Sequence, residues 1–87
     1  MSTRIVVLQR GWVVVGEYSQ SGDEVTVSRS RTIRRWGTSK GLAELRNGPL
    51  ASTQLDDGGT VRCHRLAIVM TIDCNPEKWA RHLGDAL

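Results

Sequence analysis

Two valine-rich runs near the N-terminus constrain the fold more than any other feature: RIVVLQ at residues 4–9 and GWVVVGEY at residues 11–18. β-Branched side chains favour extended backbone, and both runs are short for helices. We therefore predict two strands, with a break or bulge at Arg10 and Gly11. The chain is expected to be organised around a sheet.

A third strand follows the turn cluster SQSGD at residues 19–23. Val25 and Val27 alternate with polar neighbours over residues 24–28, which predicts a hairpin with the two valines inward. The alternation fails over residues 29–31 and resumes over residues 32–36, which indicates a sharp bend. Ile33 should then face the core. A period of two places Arg34 and Trp36 on one face and Arg35 on the other.

A short helix is predicted after Gly37, within the segment IRRWGTSKGLAELRNGP. Thr38 or Ser39 is a plausible N-cap, and Leu42, Ala43 and Leu45 supply an apolar side. Gly48 followed by Pro49 should end the helix.

The C-terminal half continues with a polar, glycine-rich loop or turn that ends at residues 56–59. Strands are predicted over residues 60–64 and, as a buried strand, over residues 66–72. Residues 73–83 predict a second helix, capped by Asn75 and starting with Pro76. Its apolar stripe consists of Trp79, Ala80 and Leu83. The predicted fold is α+β: a small curved antiparallel sheet or SH3-like half-barrel with one inserted short helix and one C-terminal helix.

The length of 87 residues predicts one domain with a small core. Domains of this size often gain stability by association, so a homo-oligomer is expected. Phe is absent, which leaves Tyr18 and three tryptophans as the large rings. Trp12 and Trp79 are assigned to the core.

The basic residues are mostly arginines and they cluster. Twelve Lys and Arg against nine Asp and Glu give a net charge of +3. Five of the cations fall within twelve residues: Arg29, Arg31, Arg34, Arg35 and Lys40. Arginine suits bidentate contacts with phosphate or carboxylate, so the pattern favours an anionic partner. A solvated basic face is the alternative.

The ligand-binding site is predicted where the bent strand meets the short helix. Arginine side chains and the free N–H groups of a helix start can hold phosphate oxygens, and an exposed tryptophan offers a stacking face. Trp36 could instead be a core ring that covers the helix. The predicted site residues are Arg34, Arg35, Trp36, Thr38, Ser39 and Lys40.

Several motifs resemble one family. The chain carries Trp-Val-Val-Val-Gly, Gly-Asp-Glu-Val-Thr-Val, Ile-Arg-Arg-Trp-Gly-Thr, Gly-Leu-Ala-Glu-Leu and a late Thr-Ile-Asp, in this order. In this respect it resembles a family of small bacteriophage and prophage proteins, over nearly its whole length. The resemblance implies viral origin and an early or accessory gene. It supplies no catalytic motif.

No residue pattern requires catalysis, a cofactor or a metal. Asp56 and Asp57 precede two glycines and are explained by a turn. Cys63 and His64 are strand neighbours that point to opposite faces, so they do not form a nucleophilic pair. Adding Cys74 and His82 gives a spacing that matches no familiar zinc site. Residues 37–41 lack the phosphate-loop spacing of nucleoside triphosphatases.

Three functions are consistent with the sequence. The preferred one is a phage-encoded, non-enzymatic protein that sequesters a nucleotide-like host immune signal as a homo-oligomer. The second is a nucleic-acid-binding module. The third is an interaction protein that inhibits a host defence protein or serves in the virion. No apolar run is long enough to span a bilayer and no signal peptide is evident, so a location in the host cytoplasm is expected.

Overall fold

The structure is a computed structural model that describes residues 2–84, and these residues form a five-stranded antiparallel sheet. The strands β1 to β5 lie in the order β4-β3-β2-β1-β5 and span Ser2–Leu8, Val13–Ser21, Glu24–Arg35, Gln54–His64 and Ile68–Asp73. Short 3₁₀ helices occupy Gln9–Gly11, Leu42–Asn47 and Arg65–Ala67, and the α-helix α1 covers Pro76–Trp79. The described chain is mostly β, so the predicted α+β class fits only loosely.

The N-terminal strands agree with the predictions. The 3₁₀ turn Gln9–Gly11 separates β1 from β2, and Arg10 there has a φ of 67°. Val25 and Val27 are fully buried, and Ile33 is 4% exposed. The predicted bend is an irregularity within one long strand, because Arg29 has a φ of 52° and the β3–β4 register shifts beside it.

The sheet curls strongly without closing into a barrel. β4 and β5 form its opposite edges, yet only the 3₁₀ helix Arg65–Ala67 joins them. A 3₁₀ helix of this length spans about 6 Å. In a flat sheet, four strand spacings would separate the same edges by roughly 19 Å. The two edges therefore converge at this end of the molecule.

The concave face encloses an inner cluster of Val6, Val14, Val25 and Val27. The residues packed against it are all from strands: Leu8, Tyr18, Val61, Cys63 and Ile68. Because these include residues of both edge strands, the sheet itself covers this cluster. β-Branched packing inside the curl explains why the valine-rich runs form the framework of the fold.

The other face of the sheet carries an outer cluster covered by helical segments. Its buried members are Ile5, Val13, Val15, Ile33, Leu42, Leu45, Trp79 and Leu83. The short helix predicted after Gly37 is a 3₁₀ helix, and it starts after Gly41 without a side-chain cap. The N-cap prediction at Thr38 or Ser39 is therefore wrong. Leu42 and Leu45 are three residues apart, so the 3₁₀ period of three places both on the buried side. Gly48 ends the helix as predicted.

The C-terminal helix is much shorter than the predicted span of residues 73–83. Asn75 caps it by accepting the Glu77 N–H at 3.0 Å, and Pro76 is its first residue, both as predicted. The helix ends at Trp79. Tertiary bonds replace helical ones beyond that point, because the Ala80 and His82 carbonyls accept hydrogen bonds from arginines of β3.

Two further predictions fail at the edges of the sheet. Residues 56–59 lie within β4 and are not a loop, since Asp56 and Asp57 pair with Thr32 and Arg31 of β3. In β5, Val69 and Met70 are 65% and 48% exposed, because an edge strand lacks a neighbour on one side. The predicted buried strand over residues 66–72 is thus shorter and partly exposed.

Trp12 is also misassigned by the sequence reasoning. It is 62% exposed immediately before β2, whereas Trp79 is fully buried as predicted. The Trp79 Nε1–H donates to the Leu45 carbonyl at 2.9 Å and so ties α1 to the 3₁₀ helix. Within residues 2–84, no helix is both long and apolar enough to cross a membrane.

Candidate functional site

The end of β3 presents two arginines and a tryptophan to solvent. Arg34, Arg35 and Trp36 are all exposed, and Trp36 is 42% exposed. The reading of Trp36 as a core ring therefore fails. Arg34 Nε lies 3.1 Å from Asp56 Oδ2, and both side chains are largely solvated. Exposed ion pairs of this kind contribute about 0–1 kcal/mol, so Arg34 is free to exchange its carboxylate for a stronger anion.

The backbone beneath Trp36 is fixed by its neighbours. Thr53 Oγ1 donates to the Trp36 carbonyl at 2.6 Å and accepts the Leu50 N–H at 2.9 Å. Gly37 has a φ of 67°, and a Cβ there would lie 2.6 Å from the Thr53 nitrogen. Only glycine fits this close approach, so the chain leaves β3 along a defined path.

A bulge changes the faces predicted for these side chains. Ile33 pairs with Leu55 and Arg35 pairs with Gln54, so two residues of β3 advance against one of β4. Arg34 is the extra residue. Strict alternation therefore does not continue through Arg34, and the prediction that Arg35 points away from Arg34 and Trp36 loses its basis. The site is formed by an irregular strand end.

The helix start is not an open anion site. The Lys40 N–H donates to Glu44 Oε2 at 2.9 Å, so a carboxylate already lies at this end. Thr38 is half-buried and Ser39 is exposed, beside the exposed Lys40. Any anion bound here would depend on side chains, because the helix is short and its first turn carries an acidic residue.

Lys40 borders a shallow cavity of about 380 Å³ beside the 3₁₀ helix. Arg46 and Asn47 line the same cavity, together with Ala43 and Glu44. The volume lies in the range of small-molecule sites. Sequence reasoning missed Arg46, which lies in the last turn of the 3₁₀ helix, whereas Lys40 precedes that helix.

Two arginines of the predicted basic cluster have structural partners instead. Arg29 binds Glu17 Oε1 at 2.9 Å and the Gly84 carbonyl at 3.0 Å. Arg31 donates to the His82 carbonyl at 3.1 Å and pairs with Asp57. The cluster thus divides into arginines that hold the C-terminal segment and a solvent-exposed group at the end of β3.

The cysteines lie in environments that keep them protonated. Burial raises the pKa of Cys63, and it raises the pKa of Cys74 from 9.0 to about 11. His64 Nδ1 accepts the Leu66 N–H at 3.1 Å, next to Cys63 on the same strand. Among residues 2–84, no group of three or more His, Cys, Asp or Glu side chains is arranged to hold a metal ion.

Comparison with known proteins adds no family assignment. No protein-family model matches the chain, and no curated protein is significantly similar to it.

Proposed function

We propose that this protein is a non-enzymatic binding protein for a phosphate-bearing, nucleotide-like ligand. The observation that carries the proposal is the exposed group Arg34, Arg35 and Trp36 on a fixed strand end. Guanidinium groups bind phosphate oxygens in a bidentate manner, and an indole face stacks on a base or ribose. Lys40 extends the cationic surface toward the neighbouring cavity.

Binding is expected to exchange one anion for another at Arg34. In the free protein Asp56 neutralises this guanidinium across an exposed ion pair. A phosphate carries more charge and more acceptor oxygens than a carboxylate, so it competes well for the same group. Thr38 and Ser39 can add hydroxyl contacts between the strand end and Lys40.

The biological role follows from the resemblance to phage proteins. A protein of phage origin that retains a nucleotide-like ligand without consuming it would sequester a host immune signal in the host cytoplasm. We propose that it does so as a homo-oligomer. The β5 edge supports association, because Val69 and Met70 are exposed there and residues 68–72 carry no charge.

A nucleic-acid-binding module is the second candidate, and the strand arrangement favours it. The order β4-β3-β2-β1-β5, with a 3₁₀ helix between β4 and β5, is compatible with the SH3-like half-barrel predicted from the sequence. An open sheet end with exposed cations and a tryptophan suits a flexible strand as well as a small molecule.

Native mass spectrometry of the purified protein tests the proposal directly. We expect a retained species that carries phosphate and a base, and that dissociates as the salt concentration rises. The Asp56→Asn variant should retain more of it, since the competing carboxylate is removed. Protein that binds neither a co-purified nor an added nucleotide at millimolar concentration would contradict the proposal and leave a protein partner as the explanation of the exposed group.

A further inference from the structure

Trp12 and Arg34 lie at the same end of two neighbouring strands, since Trp12 immediately precedes β2 and Arg34 is near the end of β3. β2 pairs with β3 through Val14 and Thr32, and through Val15 and Arg31. Val14 and Thr32 form the last pair of this register, and Trp12 and Arg34 each lie two residues beyond it along the chain. The backbone of Trp12 is extended, with φ −70° and ψ 129°, whereas Arg34 is the extra residue of the β3 bulge.

Both side chains belong to the concave face of the sheet. Trp12 is opposite Leu8, whose N–H donates to the Trp12 carbonyl at 2.7 Å, and Leu8 packs against the inner cluster. Arg34 pairs with Asp56, which is opposite Thr32 two residues before Arg34. Cross-strand partners share a face, and Arg34 contacts Asp56 on that face, so the Trp12 and Arg34 side chains lie on the same side of the sheet.

Two exposed indoles and one exposed arginine therefore lie at the same end of the sheet. Trp12 is 62% and Trp36 42% exposed, whereas Trp79 is fully buried. Burial of an exposed indole against a ligand ring is favourable, so two such rings at one end of the sheet can form a stacking surface.

We propose that Trp12 is the second stacking ring of the site and that the ligand carries two nucleobases joined through phosphate. This inference rests on the proposed function. Each indole takes one base, and Arg34 between them holds the linking phosphate. A mononucleotide would use only one of the two rings. Two bases joined through a phosphate occur both in a small dinucleotide and in any two consecutive nucleotides of a single-stranded nucleic acid.

Quenching of tryptophan fluorescence by three probes tests the proposal: thymidine monophosphate, the dinucleotide pTpT and a ten-nucleotide oligothymidylate. Wild-type protein should bind pTpT at least about tenfold more tightly than the monophosphate. Trp12→Ala should abolish that difference and change monophosphate binding by less than about threefold. Trp12→Phe, which keeps an aromatic ring, should retain most of the preference for pTpT over the monophosphate. Leu66→Ala is the matched control, since Leu66 is 65% exposed on the 3₁₀ helix Arg65–Ala67.

The outcomes separate this inference from the function on which it rests. The proposal that Trp12 is a second stacking ring would be wrong if wild type bound the monophosphate and pTpT equally well. It would also be wrong if folded Trp12→Ala bound pTpT as tightly as wild type. If Arg34→Ala still weakened monophosphate binding, the proposed function would stand without it. If the protein binds oligothymidylate a hundredfold or more tightly than pTpT, the two-base site is supported and its ligand is a nucleic acid. If the two affinities are comparable, the two-base site is supported and its ligand is a small dinucleotide.

Discussion

Arg29 and Gly84 exchange two hydrogen bonds across the molecule. The Gly84 N–H donates to the Arg29 carbonyl at 2.8 Å, and Arg29 Nε donates to the Gly84 carbonyl at 3.0 Å. The same guanidinium binds Glu17. One arginine thus fixes the C-terminal segment to the sheet, which separates it in role from the exposed Arg34 five residues later.

Arg29→Ala should destabilise the protein by about 2 kcal/mol, because at least two partly buried hydrogen bonds are lost at about 1 kcal/mol each. Urea unfolding monitored by the buried Trp79 measures this. Arg34→Ala, which loses only an exposed ion pair, should change the free energy of unfolding by less than about 1 kcal/mol. Equal losses in the two variants would contradict the division of the basic cluster.

The three tryptophans should differ sharply in their contribution to stability. Trp79→Ala removes a fully buried ring and its bond to the Leu45 carbonyl, so a loss of about 3–5 kcal/mol is expected. Trp12→Ala should cost less than about 1 kcal/mol, since most of that side chain is solvated. Thermal unfolding of both variants is sufficient. A large loss of stability in Trp12→Ala would contradict the exposed position of Trp12 and indicate that it packs in the core.

The strand framework was predictable because local preference and tertiary structure agree there. Alternating or continuous β-branched residues mark β1, β2 and the first half of β3. The start of α1 at Asn75 and Pro76 and the end of the 3₁₀ helix at Gly48 could also be predicted, since each depends on local backbone chemistry.

The failures come from contacts between distant segments. Residues 56–59 look like a turn, yet pairing with β3 makes them a strand. The C-terminal helix stops early because Arg29 and Arg31 bind its following carbonyls. Composition suggested that Trp12 is buried, whereas the structure leaves it 62% exposed. The candidate site residues remain predictions: Arg34, Arg35 and Trp36 are exposed at the end of β3, whereas Glu44 already accepts the Lys40 N–H at the expected helix-start anion site.

Cys74 should react slowly with iodoacetamide at pH 9. Burial raises its pKa to about 11, and its thiol donates to the Ile72 carbonyl at 3.5 Å. A Cys63→Ser variant isolates Cys74, and unfolding in urea should accelerate its alkylation several-fold. Similar rates in the folded and unfolded states would show that the thiol is not protected.

The same pKa shift predicts a loss of stability in alkali. Between pH 9 and 11 the unfolded chain releases the Cys74 proton while the folded chain keeps it, so the free energy of unfolding falls as pH rises. Below pH 9 this contribution is constant. Cys74→Ala should lose less stability than wild type between pH 8 and pH 10.5, and identical losses would contradict the assignment.

Association should depend on β5. We expect sedimentation of the wild-type protein at micromolar concentration to show a species larger than the 9.6 kDa chain. Met70→Lys places a charge on the exposed edge and should shift the protein toward monomer, as charged edges disfavour strand pairing. Thr60→Lys, at an exposed position of the opposite edge strand, is the control. If the wild-type protein sediments only as a monomer, the proposal that it acts as a homo-oligomer is wrong.

The exposed arginine at the end of β3 has a close control elsewhere on the surface. Arg34 and Arg62 have the same side-chain exposure of 63%, and each pairs with one carboxylate, Asp56 or Glu24. Their alanine variants therefore change charge and stability alike. They differ in position, since only Arg34 belongs to the proposed site.

Calorimetric titration with ATP at low salt compares wild type, Arg34→Ala and Arg62→Ala. We expect Arg34→Ala to weaken binding about tenfold, equivalent to about 1.4 kcal/mol, with an unchanged melting temperature. Arg62→Ala should bind within about twofold of wild type. Equal affinities of wild type and Arg34→Ala, or equal weakening in the two variants, would contradict a phosphate-binding site at the end of β3.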